Sequence, residues 1–140
     1  MYERDLFDEK TWTPPSNLPD LSQEKIIAID TETMGLNINR DRLCLVQLSR
    51  GDGNAHLIQI SKKSLNKQDN FPNLKKIFSD PNTTKLFHFA RFDLAVIEKN
   101  ICILNGPLYC TKIASKLSRT FGAKHGLANN FGRRNGLHEK

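Results

Sequence analysis

The sequence predicts an α/β fold: a mixed five-stranded sheet with flanking helices. Three observations lead there. Two apolar runs, LCLVQLS at residues 43–49 and AHLIQI at residues 55–60, flank the turn signal RGDGN, which makes them an antiparallel hairpin. Downstream, segments of helical period alternate with short apolar runs, the pattern that links parallel strands. Upstream, residues 26–30 (IIAID) are apolar on both faces, as suits a central strand.

The elements run in order along the chain. Residues 1–24 are a leader in which Pro14, Pro15 and Pro19 bar a regular helix and Trp12 pins the segment to the body. The first strand covers 26–30, and 37–41 is polar and turn-like. After the hairpin comes a polar loop, SKKSLNKQDN. Phe71, Leu74, Ile77 and Phe78 have helical spacing, and Asp80-Pro81 ends that helix. A fourth strand is expected over 85–89, a helix over 90–100, and a short fifth strand over 108–111. A third helix is expected over 112–118, with Ile113 and Leu117 packed inward. Beyond Phe121 the periodicity fails. HGL at 125–127 could open another helix, and residues 128–140 read as a disordered or non-native tail. The domain itself spans 25–127 on this reading.

Composition narrows the function classes. A chain of 140 residues supports one domain with a real core. No apolar run is long enough to span a membrane, and the charged start has no signal-peptide core. Cys44, Cys102 and Cys110 show no CxxC spacing and read as free buried thiols of a reducing cytosol, hence a cytoplasmic protein; zinc binding or a catalytic thiol are the alternatives. Residues 1–110 balance fourteen basic against fourteen acidic residues, so the net charge of +6 lies in the last thirty: seven basic residues against Glu139. Such a segment suits a polyanion such as nucleic acid; a basic tail with no partner is the alternative.

Two features carry chemistry. Asp30 and Glu32 lie at i and i+2, so both project from one face at the end of an apolar strand. Like charges that close repel, and a hard divalent cation relieves them; a solvated strand end is the plainer reading. Asp93 has Phe89, Ala90, Val96 and Ile97 as helical neighbours, which places it on the core side of its helix. A lone carboxylate there is costly unless it serves as an N-cap or faces the same cation. Three converging carboxylates suggest a two-metal phosphoryl-transfer site acting on a phosphodiester.

These residues resemble a known family. DTETMGL at 30–36, the strand LCLVQLS and HFARFDLAVI at 88–97 resemble the first two motifs of the DEDD 3′–5′ exonucleases, in their ribonuclease D-like branch. YCTKIASKLSRTFGAKHGL at 109–127 resembles the strand and helix that come after the second motif in that branch. The resemblance implies a ribonuclease H-like fold and stepwise hydrolysis from nucleic acid 3′ ends, RNA ahead of DNA, with two Mg²⁺ or Mn²⁺ ions. Asp30 would bridge both ions. Glu32 would bind the water-activating ion and meet the terminal 3′-hydroxyl, and Asp93 would hold the second. Thr33, Met34, Gly35 and Leu36 would line the terminal-nucleotide pocket. His88 and Phe92 would flank the scissile end, the alternatives being a strand-end histidine and a core phenylalanine. Lys112, Lys116 and Arg119 share one helix face and would meet backbone phosphates or simply water.

The family also uses a fourth acid, in a third motif of the form Tyr-x-x-x-Asp. Downstream of Asp93 the acids are Glu98 and Glu139, and neither has that context. The expectation is therefore a domain truncated before its third motif, as a frameshift and early stop would produce, with its C-terminal helices missing. The alternatives are an inactive remnant that binds metal or nucleic acid without cleavage, and a non-enzymatic nucleic-acid-binding module.

Overall fold

A computed structural model of the chain describes residues 18–21, 23–65, 71–122, 124–128 and 130. Its elements are β1 (Ile26–Thr33), β2 (Leu43–Ser49), β3 (His56–Gln59), α1 (Lys62–Leu65), α2 (Pro72–Ser79), β4 (Thr84–Phe87), α3 (Ala90–Asn100), β5 (Leu108–Cys110) and α4 (Thr111–Ser118). The strands form one sheet in the order β3-β2-β1-β4-β5. β1, β2 and β3 pair antiparallel, whereas β4 lies parallel to β1 and β5 parallel to β4. The C-terminal ends of β1, β4 and β5 therefore share one edge of the sheet. In open α/β sheets that edge is where ligands bind.

The alternation along β1 explains its place. Ile27, Ile29 and Thr31 are buried, while Ile26, Asp30 and Glu32 are exposed. So β1 is apolar on one side and runs three residues further than expected, through the acids. Leu74, Ile77 and Phe78 of α2, and Val96 and Ile97 of α3, join Ile27, Ile29, Val46, Leu48 and Phe87 in one core. Leu18 and Leu21 are also in that core, so the end of the leader is part of the body. Trp12, Pro14 and Pro15 lie outside the described residues, as does most of the 128–140 tail. Leu127, Ala128 and Asn130 are helical.

Three expectations need correction. Ile113 and Leu117 are 57% and 77% exposed; Ser115 is the buried residue of α4. Helical period marks an apolar face, but burial needs a partner, and no described residue covers this one. The polar loop contains the short helix α1. The three cysteines are free, yet half-buried rather than buried.

Lys85, by its pattern an ordinary strand residue, is fully buried. Its ammonium donates to the main-chain carbonyls of Asp80 and Asn105, tying the turn after α2 to the turn before β5. Gly106 closes that junction at φ 88°, where a Cβ would meet Pro81 O at 2.8 Å. Replacing Lys85 with Met keeps most of the volume and orphans two carbonyls. The expected cost is about 2–4 kcal/mol, read as a lower urea midpoint at unchanged slope.

Candidate active site

The site grows from the end of β1. The β1–β2 register slips between Glu32 and Thr33, so a bulge sits beside the second acid. Bulges next to functional sites re-aim side chains and end pairing. Asp30 and Glu32 stand exposed on the side of β1 opposite Thr31. Gln47 Nε2, from the facing position on β2, lies 3.4 Å from Asp30 Oδ2.

Asp93 comes from the first turn of α3 and is 4% exposed. The helix begins at Ala90 with Phe89 as its N-cap residue, so the N-cap role for Asp93 is excluded. Its Oδ1 accepts a 2.6 Å bond from Thr31 Oγ1. Burial pushes the Asp93 carboxyl up to about 6; the Thr31 bond opposes this, and the charge of Asp30 adds to it. Thr31, between the two acids of β1, is a site residue that the sequence reading misses. The signal is present: in D-T-E the middle residue must face the core that holds Asp93.

The chain turns from β4 into α3 through only His88 and Phe89. That tight reversal puts Phe89 at φ 71°, ψ 47°, a left-handed conformation that is strained for an aromatic residue. Its ring is half-exposed, and Lys112 Nζ lies 4.2 Å from the ring centroid. Phe89 too escapes the sequence reading, because residue pattern does not reveal positive φ. His88 is half-buried, with Nδ1 2.8 Å from Thr111 Oγ1. Burial lowers its pKa, as does Lys112; Asp30 opposes them. Phe92 is half-buried and packs on the core, which favours its plainer reading.

The segment after β1 is open. Met34 and Leu36 are 68% and 84% exposed. Thr33 Oγ1 donates to Gly35 O at 2.6 Å, and Asp41 Oδ2 accepts from Asn37 N at 3.0 Å. A Cβ on Gly35 would stand 2.4 Å from Asp41 Oδ2. Gly35→Ala is therefore expected to displace this loop. The displacement should appear as shifted amide resonances over residues 33–41 with the urea midpoint little changed, since of this loop only Ile38 packs against the core.

On α4, Lys112 engages Phe89 and Lys116 is exposed. The Arg119 guanidinium binds Ser115 and Asn130. The three basic side chains thus do not form one free row.

Asp30 and Glu32 supply hard oxygen donors, and Asp93 is a buried carboxylate within reach of Asp30's charge. That donor chemistry suits Mg²⁺ or Mn²⁺. Among the described residues no three His, Cys, Asp or Glu side chains already stand close enough together to hold a metal ion. No described helix is long and apolar enough to cross a membrane.

Comparison with known proteins agrees with this geometry. A family described as 3′-5′ exonuclease matches residues 16–129. Ribonuclease D of Acidiphilium cryptum is 29% identical over 98 residues, covering 70% of this chain and 24% of that protein. Brucella melitensis NrnC with bound Mg²⁺ is similar at TM-score 0.78 and 44% identity, over 92% of this chain and 62% of that one. Escherichia coli RNase D, an exoribonuclease involved in structured RNA processing, is similar at TM-score 0.61 and 28% identity, over 85% of this chain and 30% of that one. The chain thus spans less than two thirds of NrnC and about a quarter of the ribonuclease D it matches. With its mixed five-stranded sheet of ribonuclease H-like fold and its acids at the end of β1, the chain belongs to the 3′–5′ exonuclease family.

Proposed function

We propose that this chain hydrolyses phosphodiester bonds from the 3′ end of nucleic acid, RNA ahead of DNA, with Asp30, Glu32 and Asp93 holding two divalent ions. The observation that carries the reading is the place of Asp93, buried in the first turn of α3 and bonded to Thr31, the residue between the two strand acids. Burial raises the pKa of that carboxyl, and the charge of Asp30, at the C-terminal edge of the parallel strands, adds a smaller part. A purely structural site gains nothing from that repulsion, whereas a cation site uses it.

The ions would lower the pKa of the attacking water and take up charge on the leaving oxygen. Asp30 would share both. Glu32 would hold the water-side ion and accept a hydrogen bond from the terminal 3′-hydroxyl. Asp93, deprotonated as it gains a cation, would hold the leaving-group side. Thr33, Met34, Gly35 and Leu36 form an open edge beside these acids, suited to the last nucleotide. His88 would flank the scissile bond, with Phe92 packed on the core behind it. Lys112, Lys116 and Arg119 would meet the trailing phosphates, with Lys116 the freest of them. The Mg²⁺ of one NrnC structure and the pGG of another, at TM-score 0.77, support a metal-dependent nucleic-acid substrate.

A second reading, a remnant that binds metal or nucleic acid without cleavage, draws on the open arrangement of the three acids. Manganese titration by calorimetry tests the metal site in either case. Two sites are expected in the wild type and at most one in Asp30→Asn. A wild type without manganese binding would remove the basis of both readings.

A further inference from the structure

The exonuclease reading gives His88 a place beside the scissile bond but no task for its ring nitrogens. The parallel registers pair Ala28 with Leu86 and Phe87 with Cys110. Two residues beyond the first pair lie Asp30 and His88; one beyond the second lie His88 and Thr111. Continuing those registers carries Asp30, His88 and Thr111 to the C-terminal ends of three adjacent strands, and the approach of His88 Nδ1 to Thr111 Oγ1 shows the second pair in contact.

Among these residues one tautomer of the imidazole satisfies every hydrogen bond. Thr111 Oγ1 donates to the Phe87 carbonyl at 3.2 Å and lies 2.8 Å from His88 Nδ1. A carbonyl can only accept, and a hydroxyl has one proton. Both contacts are hydrogen bonds at once only when that proton goes to Phe87 and Oγ1 accepts from Nδ1–H. The neutral ring then carries its proton on Nδ1 and keeps a lone pair on Nε2.

An unprotonated Nε2 is the wrong partner for a phosphate, which at neutral pH offers no proton. It is the right partner for a sugar hydroxyl. The geometry points to His88 Nε2 as the acceptor for the 2′-hydroxyl of the terminal nucleotide, making His88 the residue that selects ribose over deoxyribose. The assignment rests on the function proposed above, in which Glu32 takes the 3′-hydroxyl and leaves the 2′-hydroxyl to be read.

The test is calorimetric binding of adenosine 5′-monophosphate and of its 2′-deoxy and 3′-deoxy analogues in Mg²⁺, where nothing is hydrolysed. Wild type is expected to bind the ribonucleotide about fivefold or more tighter than the 2′-deoxy analogue. His88→Ala should erase that ratio by weakening the ribonucleotide alone. Thr111→Val, which keeps the ring and removes the acceptor for Nδ1, should shrink it. Nitrogen resonances of His88 should show Nδ1 protonated and Nε2 bare. Equal binding of the two sugars by wild type, or a preference that survives His88→Ala, overturns the inference and leaves the exonuclease reading standing. Discrimination against the 3′-deoxy analogue only overturns the 2′ assignment. A folded wild type that binds none of the three nucleotides overturns the exonuclease reading, and this inference with it.

Discussion

Without metal, raising the pH from about 4.5 to about 7 will cost the folded chain about 2 kcal/mol relative to Asp93→Asn. The sign comes from the Asp93 carboxyl, which burial holds at about 6 in the folded chain, against an ordinary value of 3.8. Well below 3.8 the carboxyl is protonated in both states, and its full contribution to stability is present. As pH rises through 6 the buried group must ionise beside Asp30, and that contribution is lost. The full difference of about two pKa units corresponds to about 3 kcal/mol, of which about 2 kcal/mol falls between about pH 4.5 and about pH 7. The comparison with Asp93→Asn matters because Asp41, Asp52 and Asp80 are held below their ordinary values and titrate with the opposite sign. Those groups are the same in both proteins and cancel. Urea midpoints at pH 4.5 and pH 7 supply the measurement. Manganese should restore wild-type stability at pH 7 and leave Asp93→Asn nearly unchanged. A wild-type curve parallel to that of the variant would show that Asp93 carries no ionisation penalty.

Replacing either strand acid is expected to act oppositely on chemistry and stability. Asp30→Asn and Glu32→Gln should each lower metal-dependent cleavage by roughly a thousandfold or more, because a lost ligand leaves the water unactivated and unplaced. Neither should unfold the chain, since both side chains are exposed. Asp30→Asn has a second signature. Removing its charge takes away one of the causes that raise the Asp93 pKa, so the Asp93 titration should move down. Carbon-detected NMR of the Asp93 carboxyl reads this directly. A titration unmoved by Asp30→Asn would mean that the two carboxylates do not interact, and the site would lose its basis.

The parts of the fold legible in sequence are those that one segment specifies by itself. The span of α3 is set by its period, and β2 by its apolar run bounded by turn signals. The core position of Asp93 is set by its four apolar helical neighbours. The hidden parts depend on partners distant in sequence or on backbone angles. Ile113 and Leu117 have the spacing of a packed face, yet spacing cannot say whether anything covers it. Lys85 looks like an ordinary strand residue until two turns meet around its ammonium. Phe71 and Phe89 adopt left-handed angles because the chain must enter α2 and α3 abruptly, and no side-chain pattern encodes that. Thr31 needs two facts at once: that β1 continues through its acids, and that the core side of its end meets α3.

The family assignment leaves one question that outranks the rest: whether Asp30, Glu32 and Asp93 support cleavage in this chain. The most direct measurement is shortening of a 5′-labelled single-stranded RNA by the purified chain in Mn²⁺, with Asp30→Ala as the blank. The expected result is a ladder receding one nucleotide at a time from the 3′ end and absent with the blank. An uncut RNA, in the presence of a chain shown to be folded and to bind manganese, would contradict the proposed activity and identify a metal-binding remnant of an exonuclease.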